Sequence, residues 1–268
     1  MPPDPTTARA LLDFYLEAGA DALVGEEPVD RFADTAPPAR AAAPSAPRPP
    51  ARERAAAAPV HAPSLAPAAP EAAAVEAREA AKSAETLEDL RAILERFEGC
   101  ALKATASQLV FADGNPQARL MLVGEAPGRD EDIEGLPFVG RSGKLLDRML
   151  AAIGLDRGAV YIANVVPWRP PGNRTPTPQE TQICLPFILR QIELVDPDIL
   201  VCLGGPSAQT LLGQSGITKI RGRWFPFDTG RREIRAMPTF HPAFLLRSPL
   251  QKRFAWRDFL AIKKTLGG

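Results

Sequence analysis

Two short polar segments, far apart in the chain, carry residue types suited to chemistry at a strand end. Gly124-Glu125-Ala126-Pro127-Gly128 follows the apolar run Leu120-Met121-Leu122-Val123. His241-Pro242-Ala243-Phe244-Leu245-Leu246-Arg247 follows Ile234-Arg235-Ala236-Met237-Pro238-Thr239-Phe240. Each reads as a strand running into a tight Gly/Pro turn, the place where open α/β sheets put ligands. His241 is one of two histidines, and the other, His61, lies in Ala/Pro-rich sequence. An imidazole presented from a strand end and fixed by a following proline suits electrostatic catalysis.

Positioning these segments requires a scaffold of alternating elements. The periodicity predicts helices over 86–97, 142–153, 179–195, 207–212 and 250–266. Strands are expected over 119–123, 160–165 and 198–203, with a hairpin over 223–227 and 233–237 that delivers His241. Strands alternating with helices predict an α/β fold of three αβα layers around a central, mostly parallel four-stranded sheet. The Gly124–Gly128 turn, the 132–140 loop, Asn164 with the proline-rich 169–178 loop, and His241–Arg247 then meet at one sheet edge.

Together these segments resemble the family-four uracil-DNA glycosylases. The matching residues are Gly-Glu-Ala-Pro-Gly at 124–128, Glu131-Asp132, Gly-Leu-Pro-Phe-Val-Gly at 135–140 and Asn164-Val165-Val166. The match continues through Arg169-Pro170-Pro171-Gly172-Asn173-Arg174-Thr175-Pro176-Thr177-Pro178 and His241 to Arg247, spanning about residues 97–265 in unbroken order.

The resemblance implies an enzyme that flips uracil out of DNA and hydrolyses its glycosidic bond, leaving an abasic site. By that resemblance Phe138 stacks on the base and Asn164 pairs with its polar edge. A neutral His241 donates to the carbonyl oxygen where charge collects, helped by backbone N–H groups around Glu125 and Ala126. Gly124 and Gly128 shape the base pocket, Leu245 wedges into the vacated stack, and Arg247, Arg174 and Pro171 contact DNA. Ala126 stands where faster superfamily members carry a water-positioning Asp, which leaves backbone carbonyls, Glu131 or Asp132 for that task. A glycosylase for another deaminated base and a non-catalytic damage binder are the competing readings. A covalently trapping variant would need a histidine in the proline-rich loop, which has none.

Family four also implies a four-iron cluster held by four cysteines. The pattern places them at residues 97, 100, 168 and 184, which read Phe97, Cys100, Trp168 and Cys184. Four thiolates are the rule for such clusters. The expectation is therefore no cofactor, Cys100 and Cys184 being vestigial and the two aromatics filling the volume; the alternative is a retained 4Fe-4S cluster.

Composition sets the remaining bounds. The chain carries 32 basic and 32 acidic residues; residues 1–82 hold 8 and 12 of them, leaving the rest of the chain net basic. Arginine far outnumbers lysine, which suits bidentate phosphate contacts. Residues 1–32 read as an amphipathic helical segment, 33–82 as a disordered Ala/Pro-rich linker and 83–268 as the catalytic domain. DNA is the expected macromolecular partner, the N-terminal helix offers a surface for a protein partner, and the enzyme is expected to be a monomer. No run has transmembrane length and three cysteines show no disulfide spacing, which predicts a cytoplasmic, nucleoid-associated protein.

Overall fold

The computed structural model describes residues 70–267. The expected helix within residues 1–32 lies outside them. The described part holds six strands: β1 (Asp113–Gly114), β2 (Leu120–Gly124), β3 (Tyr161–Asn164), β4 (Ile199–Leu203), β5 (Phe225–Asp228) and β6 (Glu233–Thr239). Its helices are α1 (Pro70–Ser83), α2 (Leu87–Arg96), α3 (Arg129–Glu134), α4 (Arg141–Ala151), α5 (Pro178–Val195), α6 (Gly205–Leu212), α7 (Ile217–Ile220), α8 (Pro242–Arg247) and α9 (Lys252–Gly267).

The strands form one sheet in the order β1-β3-β2-β4-β6-β5. The inner four are mutually parallel, and the two edge strands pair antiparallel. The expected four-stranded sheet is thus the parallel centre of a mixed six-stranded one. β1 has only two residues, too few for a period-2 pattern.

Alternation along the inner strands feeds two cores. Leu120, Leu122, Ile162, Val201 and Met237 pack on one face with Leu146, Leu150 and Phe259 of α4 and α9. Met121, Val123, Ala163, Leu200 and Ala236 pack on the other with residues of α1, α2 and α5. Both faces are covered, so β2 and β4 are buried at every position and read as continuous apolar runs.

One expected boundary is corrected. Residues 70–82, assigned to the disordered linker, form nearly all of α1. Alanine is the strongest helix former; Ala73, Ala77 and Ala81 recur at four-residue spacing, Ala84 follows just past the helix end, and all four are 0–2% exposed. Their small side chains let α1 lie close against α5. Arg190 of α5 closes the end of that stripe, donating to the Ala84 carbonyl at 3.0 and 2.6 Å. Ala/Pro composition alone offers too little apolar surface to predict folding, whereas the alanine spacing makes a packing face.

Candidate active site

The C-terminal ends of the parallel strands converge on a cleft of about 720 Å³. Its lining includes Glu125, Ala126 and Gly128 after β2, Asn164 at the end of β3, Gly204 after β4 and His241 after β6. Phe138, Arg174 and Arg247 also line it, whereas Gly124, Leu245 and Pro171 do not. Open parallel sheets place ligands at this position because strand ends and helix starts meet there.

Gly124 and Asn164 are register partners across β2 and β3. A Cβ on residue 124 would collide with the Asn164 amide oxygen and stand 2.7 Å from Cζ of Phe138. Gly124 therefore lies beneath both side chains rather than lining the cleft. Asn164 is 5% exposed, and its Oδ1 is buried with no hydrogen-bond partner. Buried polar atoms are seldom left so, and this acceptor is suited to a ligand N–H.

Phe138 adopts φ +55°, a left-handed conformation uncommon outside glycine. Three features hold it there. Gly143 of α4 leaves room where any Cβ would strike the Phe138 carbonyl. Arg157 donates to the carbonyls of Pro137, at 3.2 Å from each terminal nitrogen, and of Phe138, while pairing with Asp147 at 2.8 Å and with Asp113. Glu131 accepts from the N–H groups of Gly128, Val139 and Gly140 at 3.0–3.1 Å, tying the post-β2 turn to the Phe138 loop. The Phe138 ring packs beside His241, with centroids 5.5 Å apart and planes inclined by 32°.

His241 is the N-cap of α8, and its Nδ1 accepts the Ala243 N–H at 3.1 Å. Nδ1 thus presents a lone pair, and the neutral ring carries its proton on Nε2. Burial, with a smaller push from the Arg247 charge, lowers the imidazole pKa to about 4. The ring is uncharged at neutral pH and has one N–H to donate. Beneath it, Thr239 accepts the Gly204 N–H at 2.9 Å through its carbonyl and donates its hydroxyl to buried Asp258 at 2.7 Å. The strand carrying His241 is thereby tied to β4's turn and to α9.

Several expected roles are redistributed. Glu131 and Asp132 were candidates for holding water, but both carboxylates are buried in structural duty. Asp132 accepts from the Ser107 N–H at 2.8 Å, the Ser107 hydroxyl at 3.1 Å and the Gln108 N–H at 3.4 Å. Glu125 and Glu131 both line the cleft, but only Glu125 has a carboxylate oxygen, Oε1, buried without a partner, and burial raises its pKa.

Leu245, the expected wedge, is 1% exposed and packs with Phe240 and Ala255. With His241 as N-cap, the helical repeat turns residue 245 inward and Leu246 outward, the latter 37% exposed. Arg174 lines the cleft but is clamped by Glu180 at 2.8 and 2.6 Å, an ion pair that raises the arginine pKa and lowers that of the carboxyl. Glu180 also completes the Thr177 capping box of α5. Pro171 is exposed outside the cleft lining, where Pro170 takes its place. Arg157, nineteen residues from Phe138, carries no local motif that would have revealed its role.

A model of the Uracil DNA glycosylase superfamily matches residues 111–260. The chain belongs to that superfamily. A Type-4 uracil-DNA glycosylase of Archaeoglobus fulgidus is 39% identical over 188 residues, covering 68% of this chain and 94% of the relative. The enzyme of the same name from Thermotoga maritima is 42% identical over 166 residues, covering 61% and 85% respectively. That from Sulfurisphaera tokodaii is 39% identical over 186 residues, covering 67% and 84%.

The four positions to which the family-four pattern assigns cluster ligands all belong to one buried core, but the residues there do not fit a cluster. Cys100 and Cys184 approach to 3.8 Å between sulfurs. Phe97 and Trp168 are 5% and 2% exposed, and Phe97 stacks edge-on against Phe187 of α5 at 5.1 Å. The Phe97 ring also folds back over Gly99, where an added Cβ would collide with it. At two of the four positions the thiolate is replaced by a buried ring that cannot ligate iron. Among the described residues, no group of three or more His, Cys, Asp or Glu side chains is placed to hold a metal.

Proposed function

We propose that this protein removes uracil from DNA, hydrolysing the bond between base and deoxyribose without a metal cofactor and leaving an abasic site. One observation carries the reading: a neutral imidazole with its free N–H, an orphaned amide acceptor and an aromatic ring share one cleft at the sheet's C-terminal edge. The superfamily membership and the Type-4 uracil-DNA glycosylase names of the relatives support it.

The chemistry follows from the charges of the reaction. As the glycosidic bond breaks, positive charge grows on the sugar and negative charge on the uracil oxygens. Nε2–H of His241 donates to the oxygen gaining charge, with backbone N–H groups near Glu125 and Ala126 beside it. Such a fixed donor in a partly dry site contributes about 3 kcal/mol, or roughly a hundredfold in rate. The donor is uncharged because burial holds the imidazole pKa near 4, so it acts by hydrogen bonding rather than as an imidazolium acid. Asn164 accepts the base's ring N–H through its unpartnered Oδ1, and Phe138 covers the base face.

Ala126 brings no carboxylate, and Glu131 and Asp132 are committed elsewhere. Glu125 is left as the side chain suited to orient water. Leu246, rather than Leu245, takes the place of the flipped nucleotide, and Arg247 contacts the phosphate beside it. Action as a monomer is part of the proposal. No helix among the described residues is long and apolar enough to cross a membrane, and a DNA substrate supports a nucleoid location. A protein partner for the N-terminal segment remains part of the proposal.

A uracil-containing oligonucleotide treated with the protein and then alkali tests the reading. Strand scission is expected with the wild type and a loss of at least about a hundredfold with Asn164→Ala or His241→Ala. Tight binding without cleavage by the wild type would reduce the protein to a damage sensor.

A further inference from the structure

The pair Cys100 and Cys184 carries chemistry that excision does not use. Both are free thiols buried at 2% and 0% exposure, and their sulfurs stand 3.8 Å apart. Cys100 precedes the short 3-10 turn Ala101–Ala104, and Cys184 lies in the second turn of α5. The third cysteine, Cys202, sits in β4 and accepts no part in this pair.

We infer that Cys100 and Cys184 form a reversible dithiol–disulfide site, a covalent staple between the 97–104 segment and α5 where the family-four pattern assigns an iron–sulfur cluster. A disulfide needs the sulfurs to close to about 2.05 Å. From 3.8 Å the sulfurs must close by about 1.8 Å, so forming the bond requires the segments that carry them to move. The two cysteines are 84 positions apart in sequence, and a link closing so long a loop restricts the unfolded chain strongly.

The required oxidant is a hydroperoxide. One thiol reduces it to water or alcohol and becomes a sulfenic acid. The second sulfur then attacks that sulfur, forming the S–S bond and releasing a second water. Two thiol protons and two electrons leave the protein, and a small dithiol reverses the step.

The staple would steady more than its own segment. The chain runs on from the 3-10 turn to Ser107 and Gln108, which bind Asp132 of α3. The residues that carried cluster ligation in the pattern would then still tie the same two parts of the fold, using a bond that responds to oxidant.

The full-length protein, purified reduced and desalted, tests this directly. After native treatment with hydrogen peroxide and denaturation, Ellman's reagent should count one thiol in place of three. Peptide mapping should recover Cys100 joined to Cys184, and the melting temperature should rise by about 5 °C or more, reversed by dithiothreitol. Cys184→Ser should lose both the link and the shift. Should that variant fold poorly, mapping of the wild type alone still decides. Three thiols after oxidation, a link involving Cys202, sulfinic acid in place of the disulfide, or stoichiometric iron in the purified protein would each overturn the inference.

Discussion

The amide oxygen of Asn164 occupies the space that a Cβ on Gly124 would fill. Adjacent parallel strands end in register at these two residues, so the glycine leaves the room in which the Asn164 amide sits. Gly124→Ala should displace both Asn164 and the Phe138 ring, whose Cζ would stand 2.7 Å from the new carbon. A displacement of about 1 Å at a reacting group costs on the order of a hundredfold. Uracil excision should fall by that amount while circular dichroism stays near wild type; full activity in this variant would sink the packing argument.

The His241 pKa near 4 makes a second prediction, about stability. The ordinary value is 6.5 and the folded value is lower, so between those limits the unfolded chain binds more protons than the folded one. Stability then rises with pH: the contribution is fully present above about pH 6.5 and is lost as pH falls toward 4. Between pH 6.5 and 5 the loss is about 2 kcal/mol for this one group. Urea unfolding of the wild type and of His241→Gln should diverge over that range by roughly this amount. Parallel curves would mean that the imidazole is not held neutral by the fold.

The alanine face of α1 predicts an asymmetric response to charge. Ala77 is fully buried against the domain, whereas Val75 is 54% exposed. Ala77→Glu forces both volume and a carboxylate into the α1–α5 contact and should cost upwards of about 2 kcal/mol. Val75→Glu should stay within about 0.5 kcal/mol of wild type. Thermal melts of the two full-length variants check this, and equal effects would detach α1 from the fold.

How much of this was legible in the sequence depends on what each residue touches. The strand-end turns, Asn164 and His241 were readable because apolar runs stop there and glycine or proline follows. The parallel centre of the sheet followed from alternating periods. The edge strand at Asp113 was not readable, having two residues and no alternation. Arg157 and Glu131 bind backbone carbonyls and amides across loops, and backbone partners leave no trace in side-chain identity. Leu245 and Leu246 are chemically alike, and only the start of α8 at its His241 cap decides which one turns outward.

That helical phase gives a fourth prediction. Leu246→Ala should weaken excision from duplex DNA by roughly tenfold, since a wedge offsets a few kcal/mol of unstacking. Its effect on single-stranded substrate and on melting temperature should be small. Leu245→Ala should do the reverse, costing about 2–5 kcal/mol of stability as a core truncation. If Leu245→Ala selectively spoiled duplex substrates while the fold stayed intact, the wedge would belong to it after all.

Glu125 supplies the last test. Its carboxyl lines the cleft, one oxygen lacks any partner, and burial raises its pKa above the usual carboxylate value. If the ionised form orients water, excision should decline as pH falls through that raised pKa, before His241 protonates near 4. Glu125→Gln keeps the shape and removes the charge. It should lower the rate at neutral pH by about a hundredfold and abolish the upper acid limb, leaving a profile flat until His241 titrates. Rates measured from pH 4 to 8 on single-stranded substrate separate this from any effect on duplex opening. A Gln variant that kept both the wild-type rate and the wild-type acid limb would transfer water positioning from Glu125 to the backbone of the turn.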